Sequence, residues 1–202
     1  MAFFLIFLLW PSVKLYTQEP PKMKALWVVR DVLKSRTETD KMIAFAEKAR
    51  ITDVFLQVRG RGDAYYTSTW SSRAEGLPED WDPLAHVISK CKPKHIRIHL
   101  WVNVFYLWSS EKNPQRTDHL FYRHPDWSAV SQSNESMMDE GVKKLSRKNI
   151  EGIFISPASD EFKEYFIQVL DELISRYAVD GIHLDYVRYA GEEYDYSTAM
   201  RS

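Results

Sequence analysis

From Lys24 onward the chain alternates short apolar runs with amphipathic stretches, and this alternation restricts the fold more than any other feature. "KALWVVR" (Lys24 to Arg30) reads as a first strand. "TETDKMIAFAEKAR" follows as a helix, with Thr37 as its expected N-cap and Asp40 completing a capping box. "TDVFLQVR" (Thr52 to Arg59) is a second strand, and "DPLAHVISKCK" a second helix with Pro83 in its first turn. "IRIHLWVNVFY" (Ile96 to Tyr106) is a third strand, followed by a long connection from Leu107 to Ile155. In "SDEFKEYFIQVLDELISRYA", Phe162, Tyr165, Phe166, Val169, Leu170, Leu173, Ile174 and Tyr177 fall on one helical stripe. "VDGIHLDYVRYA" (Val179 to Ala190) reads as a buried fourth strand. Strand and helix in strict alternation predict a parallel α/β sheet with right-handed crossovers.

Side chains two apart in a strand share a face. Phe55, Gln57 and Arg59 lie opposite Val54, Leu56 and Val58; His99, Trp101 and Asn103 lie opposite Ile98, Leu100 and Val102; His183 and Asp185 lie opposite Ile182 and Leu184. Each strand thus has an aliphatic face for helices and a second face that turns polar or aromatic toward its C-terminal end. In a (β/α) barrel the second face points inward, and that end carries the active site. An ionisable residue such as Asp185 inside a core strand calls for a partner, because an unpaired buried charge is costly. A structural ion pair would satisfy it. A catalytic rim would explain all three strands together.

The composition narrows the chemistry. With 27 basic and 28 acidic residues among 202, no charge excess draws the chain to nucleic acid. The single cysteine, Cys91, falls in a predicted helix and reads as a packed bystander. No HExxH, CxxC, phosphate-loop or dinucleotide motif occurs, so neither metal nor cofactor is expected. "RGD" at Arg61 to Asp63 and the sequon at Asn134 are short enough to arise by chance. The opening "MAFFLIFLLW" is too short to span a bilayer and resembles the core of an export signal, so residues 1–22 are set apart as a signal-like segment and linker. Export is the expectation.

Loops such as "VRGRGDAYYTSTW", "WVNVFYLWSS" and "HPDW" combine aromatic rings with Arg, Asp and Asn. Carbohydrate sites need such groups, and protein interfaces use them too. Glycosidic hydrolysis typically takes two carboxylates flanking the bond. Asp185 is the first choice for one, with Arg188 expected to hold it ionised. Asp63, Glu75 and Asp31 are loop candidates for the other.

Seven segments, from "LWVVRDVLKS" through "DVFLQVRGRGDAYYTSTWSSRAEGL", "DPLAHVISKCK", "HLWVNVFYLWSS", "HPDW" and "GIFISPASDEFKEYF" to "DGIHLDYVRYA", together resemble the bacterial glycosyl-hydrolase-like 10 family. The resemblance covers Lys24 to Tyr189, with Ala190 standing where the family usually has proline. It implies a TIM-barrel glycoside hydrolase of the cell envelope, periplasmic or extracellular, acting on a polysaccharide such as peptidoglycan strands. It also implies Asp185 as catalytic carboxylate, with Arg30, Gln57, Arg59, Arg61, Asp63, Tyr65, Trp101, Asn103, Tyr106, His183 and Arg188 lining the cleft. Only about four of eight strand–helix units are present, and a whole barrel takes ~250 residues. The expected architecture for residues 23–202 is therefore a half barrel, a fragment of weak or no activity whose open edges favour self-association. A non-catalytic carbohydrate-binding or scaffold module is the alternative.

Overall fold

The computed structural model describes residues 23–201. Strand β1 (Ala25–Val28) leads through a 3-10 turn (Arg30–Lys34) into helix α1 (Arg36–Lys48). The cap of α1 is Ser35 rather than Thr37: the Ser35 side chain accepts from the Glu38 backbone N–H. The 3-10 turn consumes the chain after Val28, so the helix starts earlier than its charge pattern suggests. Strand β2 (Asp53–Arg59) is followed by two short strands, β3 (Asp63–Ala64) and β4 (Ser72–Arg73), then by α2 (Pro83–Cys91). Strand β5 (Arg97–Asn103) ends sooner than expected, and Tyr106 belongs to a separate strand, β6 (Tyr106–Trp108).

The long connection holds its own subdomain: α3 (Leu120–Arg123), α4 (Met137–Arg147, broken at Gly141) and β7 (Ile153–Phe154), which pairs antiparallel with β6. Gly152 permits that pairing, since a Cβ there would collide with the Trp108 carbonyl. Helix α5 (Asp160–Arg176), strand β8 (Gly181–Asp185) and the short α6 (Thr198–Arg201) complete the described chain.

The main sheet runs β1, β2, β5, β8, all parallel, with β3 and β4 attached beside β2. This is the predicted α/β order of a partial (β/α) barrel, and among the described residues the sheet does not close. Val54, Leu56, Val58, Ile98, Leu100 and Val102 are buried on its outer face, where Ile43, Ala46, Leu84, Val87, Val169 and Leu173 join the same core. Each such side chain contributes roughly 1.5–3 kcal/mol through burial.

β8 departs from the expected buried strand. It is the sheet edge, its residues are at most half-buried, and Leu184 is 43% exposed. Trp27, on the inner face of the opposite edge, is 50% exposed although it stacks on Phe55 at 4.4 Å. Ile174 belongs to the predicted α5 stripe, yet it faces solvent beside Ile167 for want of a neighbour on that flank.

The end of the sheet away from the rim is locked by Asp53. Its buried carboxylate accepts from Arg97 at 2.8 Å and Thr52 at 2.6 Å, and pairs with His99 Nε2 at 2.7 Å. Burial pushes its pKa up, but the hydrogen bonds from Arg97, Thr52 and His99 outweigh that and hold it at about 2. A depressed folded pKa stabilises the fold above the unfolded value of about 3.9, and the benefit is lost as pH falls below it. Urea midpoints should therefore hold from neutral pH to about 4 and decline toward 2. Asp53→Asn should lower stability at neutral pH by about 1–3 kcal/mol and remove this component of the acid decline.

Candidate active site

Parallel pairing sets the inner face out in rows. Phe55 aligns with His99 and Trp27, Trp101 with Gln57 and His183, and Asn103 with Asp185. The middle of this face is an aromatic layer: Phe55 and His99 stack at 4.7 Å, and His183 and Trp101 meet Trp27 edge-on at 4.8 and 5.3 Å.

Asp185 stands at the rim end of β8, half-buried. Its Oδ2 accepts from the Trp101 indole N–H at 2.9 Å, and its Oδ1 from the Tyr186 backbone N–H at 2.7 Å. The Asp185 carbonyl accepts from Val104 N at 2.8 Å, which extends the β5–β8 pairing one step past the strands. Tyr186 then turns the chain with φ +53°. The carboxylate is thus aimed by one donor from each of two strand ends, and both donors complement an acceptor-only group.

The remaining predicted residues divide into two sets. Trp101, His183, Arg30 and Arg61 are partly exposed. Arg30 donates to Gln57 Oε1 at 3.0 Å, and Arg61 lies over the Trp108 ring at 4.3 Å. Arg59, Asp63 and Tyr65 are buried and act as supports beneath the rim. Arg59, wholly enclosed, donates to the carbonyls of Asn103 at 2.5 Å and Val104 at 3.3 Å and lies over Phe166. Asp63 accepts from the Arg61 backbone N–H at 2.8 Å, and burial pushes the Tyr65 hydroxyl pKa up. Gln57 and Asn103 face inward but are covered, and the Asn103 amide donates to the Gly60 carbonyl at 2.9 Å. Tyr106 is buried too, its hydroxyl donating to the Glu151 carbonyl at 2.9 Å.

Arg188 does not pair with Asp185. It binds Glu151 at 2.8 Å and lies over the Tyr186 ring at 4.9 Å. The positive φ at Tyr186 redirects the chain, so three-residue spacing along an ideal strand no longer applies. Of the proposed second carboxylates, Asp63 is committed to its own loop, Glu75 accepts from Gln115 N at 2.6 Å, and Asp31 pairs with Lys34 at 3.1 Å. None is brought to Asp185. Sequence reasoning missed Glu151 and Tyr186. The Tyr186 ring stacks on Tyr106 at 4.4 Å, and burial followed by the Glu151 hydrogen bond raises its pKa to about 12. The place of Tyr186 directly after Asp185 was available as a clue, whereas nothing local marks Glu151.

A parallel partial (β/α) barrel with an oriented carboxylate and aromatic rings at its C-terminal rim has the layout from which such barrels build their sites. The chain matches the family described as Glycosyl hydrolase-like 10 over residues 22–201 and belongs to it. It is 22% identical to "Glycosyl hydrolase YngK" of Bacillus subtilis (strain 168), over 88% of this chain and 36% of that protein. It is 21% identical to "Glycosyl hydrolase DigH" of Escherichia coli (strain K12), over 82% of this chain and 38% of that protein. The chain thus spans little more than a third of either relative. Among solved structures, a hypothetical protein from Ruminiclostridium thermocellum ATCC 27405 superposes with a TM-score of 0.62 at 16% identity, over 86% of this chain and 82% of that one. Alpha-L-fucosidase isoenzyme 2 from Paenibacillus thiaminolyticus gives 0.62 at 15% identity, over 88% of this chain and 25% of that one. Both show the fold.

The supporting role of Asn103 can be measured. Asn103→Ala should lower stability by about 1–3 kcal/mol in urea unfolding, because it strips the Gly60 carbonyl of its donor inside the protein. A change under about 0.5 kcal/mol, the range of a surface substitution, would return Asn103 to the cleft wall.

Proposed function

We propose that this chain carries the first half of a barrel that hydrolyses O-glycosidic bonds in a polysaccharide, with Asp185 as one of its two carboxylates. The observation that carries the reading is the orientation of Asp185 at the strand end by Trp101 and Tyr186. A carboxylate held in this way suits attack on, or stabilisation of, the positively charged sugar carbon of the transition state. Cell-envelope glycan such as peptidoglycan strands is the substrate class, in keeping with the signal-like run at the N-terminus. That run lies outside the described residues and is read from sequence alone. Among the described residues, no helix is long and apolar enough to cross a membrane.

One observation favours binding without turnover. Among the described strands, the inner face carries two carboxylates, Asp53 at the far end and Asp185 at the rim. A partner for Asp185 would have to come from further strands. The chain alone is therefore expected to release reducing ends from peptidoglycan glycan strands slowly or not at all. Any release should be abolished by Asp185→Asn with the fold preserved. Release that survives Asp185→Asn would sink the assignment, whereas glycan retention without release would favour the binding module.

The open edges at Trp27 and Leu184 lead us to propose self-association as well. Light scattering across micromolar concentrations should give a mass above that of the monomer, and a stable monomer would rule this out.

A further inference from the structure

We propose that a groove on the outer side of α5 is a second saccharide site, separate from the Asp185 rim, that takes the pyranose rings of an oligosaccharide. Its ligand class rests on the polysaccharide reading; its existence does not depend on catalysis. The groove has a volume of about 520 Å³ and lies between Thr69–Trp70, the Arg123–Trp127 segment and the first turns of α5. A few sugar rings fit a space of that size, which falls within the range of small-ligand sites.

An aromatic floor is built in. The His124 ring lies flat on Trp127 at 3.7 Å, and Tyr165 tilts against Trp127 at 5.7 Å. The Tyr165 hydroxyl is fixed by Ser71 Oγ at 2.9 Å, which ties the floor to the loop carrying Trp70. That loop is itself fastened along α5: Glu172 accepts from Ser68 at 2.5 Å and from Thr69 N at 2.6 Å. Trp70 nevertheless remains 44% exposed at the groove's edge. A half-exposed indole on an anchored loop offers a flat apolar face with little ordering cost on binding.

The walls are polar, and Glu161 accepts only a long hydrogen bond from Ser159 Oγ at 3.4 Å. Glu161, Glu164 and Gln168 project from neighbouring turns of α5, and Arg123 comes from the other side. Among the described residues, no hydrogen bond or ion pair occupies the side chains of Arg123, Glu164 or Gln168. Two carboxylates, an amide and a guanidinium around aromatic rings supply acceptors and donors for adjacent hydroxyls, while the rings cover the C–H face of a sugar. The mixed charge argues against a purely anionic or purely cationic ligand. The site is also distinct from the rim. Phe166 is buried on the side of α5 turned toward the sheet, where it packs under Arg59.

The test is isothermal titration of the full chain with chitohexaose and with maltohexaose, on wild type, Trp70→Ala, Gln168→Ala and the double variant Asp185→Asn/Trp101→Ala. At least one saccharide should bind. Trp70→Ala should weaken that binding about tenfold, the scale of a lost ring-stacking contact. Gln168→Ala, at an exposed position that cannot disturb folding, should weaken it more modestly, and the rim double variant should leave it unchanged. Circular dichroism matching wild type excludes misfolding of Trp70→Ala. The proposal is overturned if neither saccharide binds, or if Trp70→Ala and Gln168→Ala bind as wild type. Loss of binding in the rim double variant alone would also overturn it by placing all binding at Asp185. Failure of hydrolysis is read separately, from reducing ends.

Discussion

The register of β5 between β2 and β8 is the constraint on which the candidate site depends. It places the Trp101 indole within hydrogen-bond reach of Asp185 and sets Asn103 level with that carboxylate. A one-residue slip would turn Trp101 and Asp185 to opposite faces and expose the aliphatic rows to the barrel interior. The register is held at both ends. At the bottom, Asp53 on β2 is clamped to Arg97 and His99 on β5; at the top, Arg59 reaches from β2 to the last carbonyls of β5. Two polar ties and the buried aliphatic core between them leave a slipped alignment no comparable set of contacts.

Those ties also explain why several polar residues that look like ligand contacts are structural. A rim must be rigid to aim a carboxylate, and the groups that stiffen it are themselves Arg, Asp, Asn and Tyr. Arg59, Asp63, Tyr65 and Asn103 are used in this way beneath the surface. Composition cannot separate a hydroxyl-binding arginine from one that cross-braces two strands, since both need the same forked donor.

The half barrel leaves its own mark on packing. Inner-face aromatics that a complete barrel would enclose lie open at Trp27, and the outer face of β8 is exposed at Leu184. Exposed apolar groups thus stand at both edges of one parallel sheet. The subdomain between β5 and α5 behaves differently. It is braced by the β6–β7 pair and by the edge-on contact of Tyr106 with Phe154, it is tied to the main sheet where Tyr106 stacks on Tyr186, and it brings Glu151 to Arg188 from far along the chain.

The sequence by itself determined the alternating strand–helix order, which strand faces are aliphatic, and Asp185 as the rim carboxylate. These follow from periods of 2 and 3.6 residues, which are local properties of the backbone. Tertiary structure decided what local periodicity cannot carry. It moved the α1 cap from Thr37 to Ser35, because a 3-10 turn intervenes. It made β8 an exposed edge rather than a core strand, because burial depends on what lies alongside. It gave Arg188 to Glu151 instead of Asp185, because a left-handed residue at Tyr186 changes the direction of the chain and a distant loop supplies the partner.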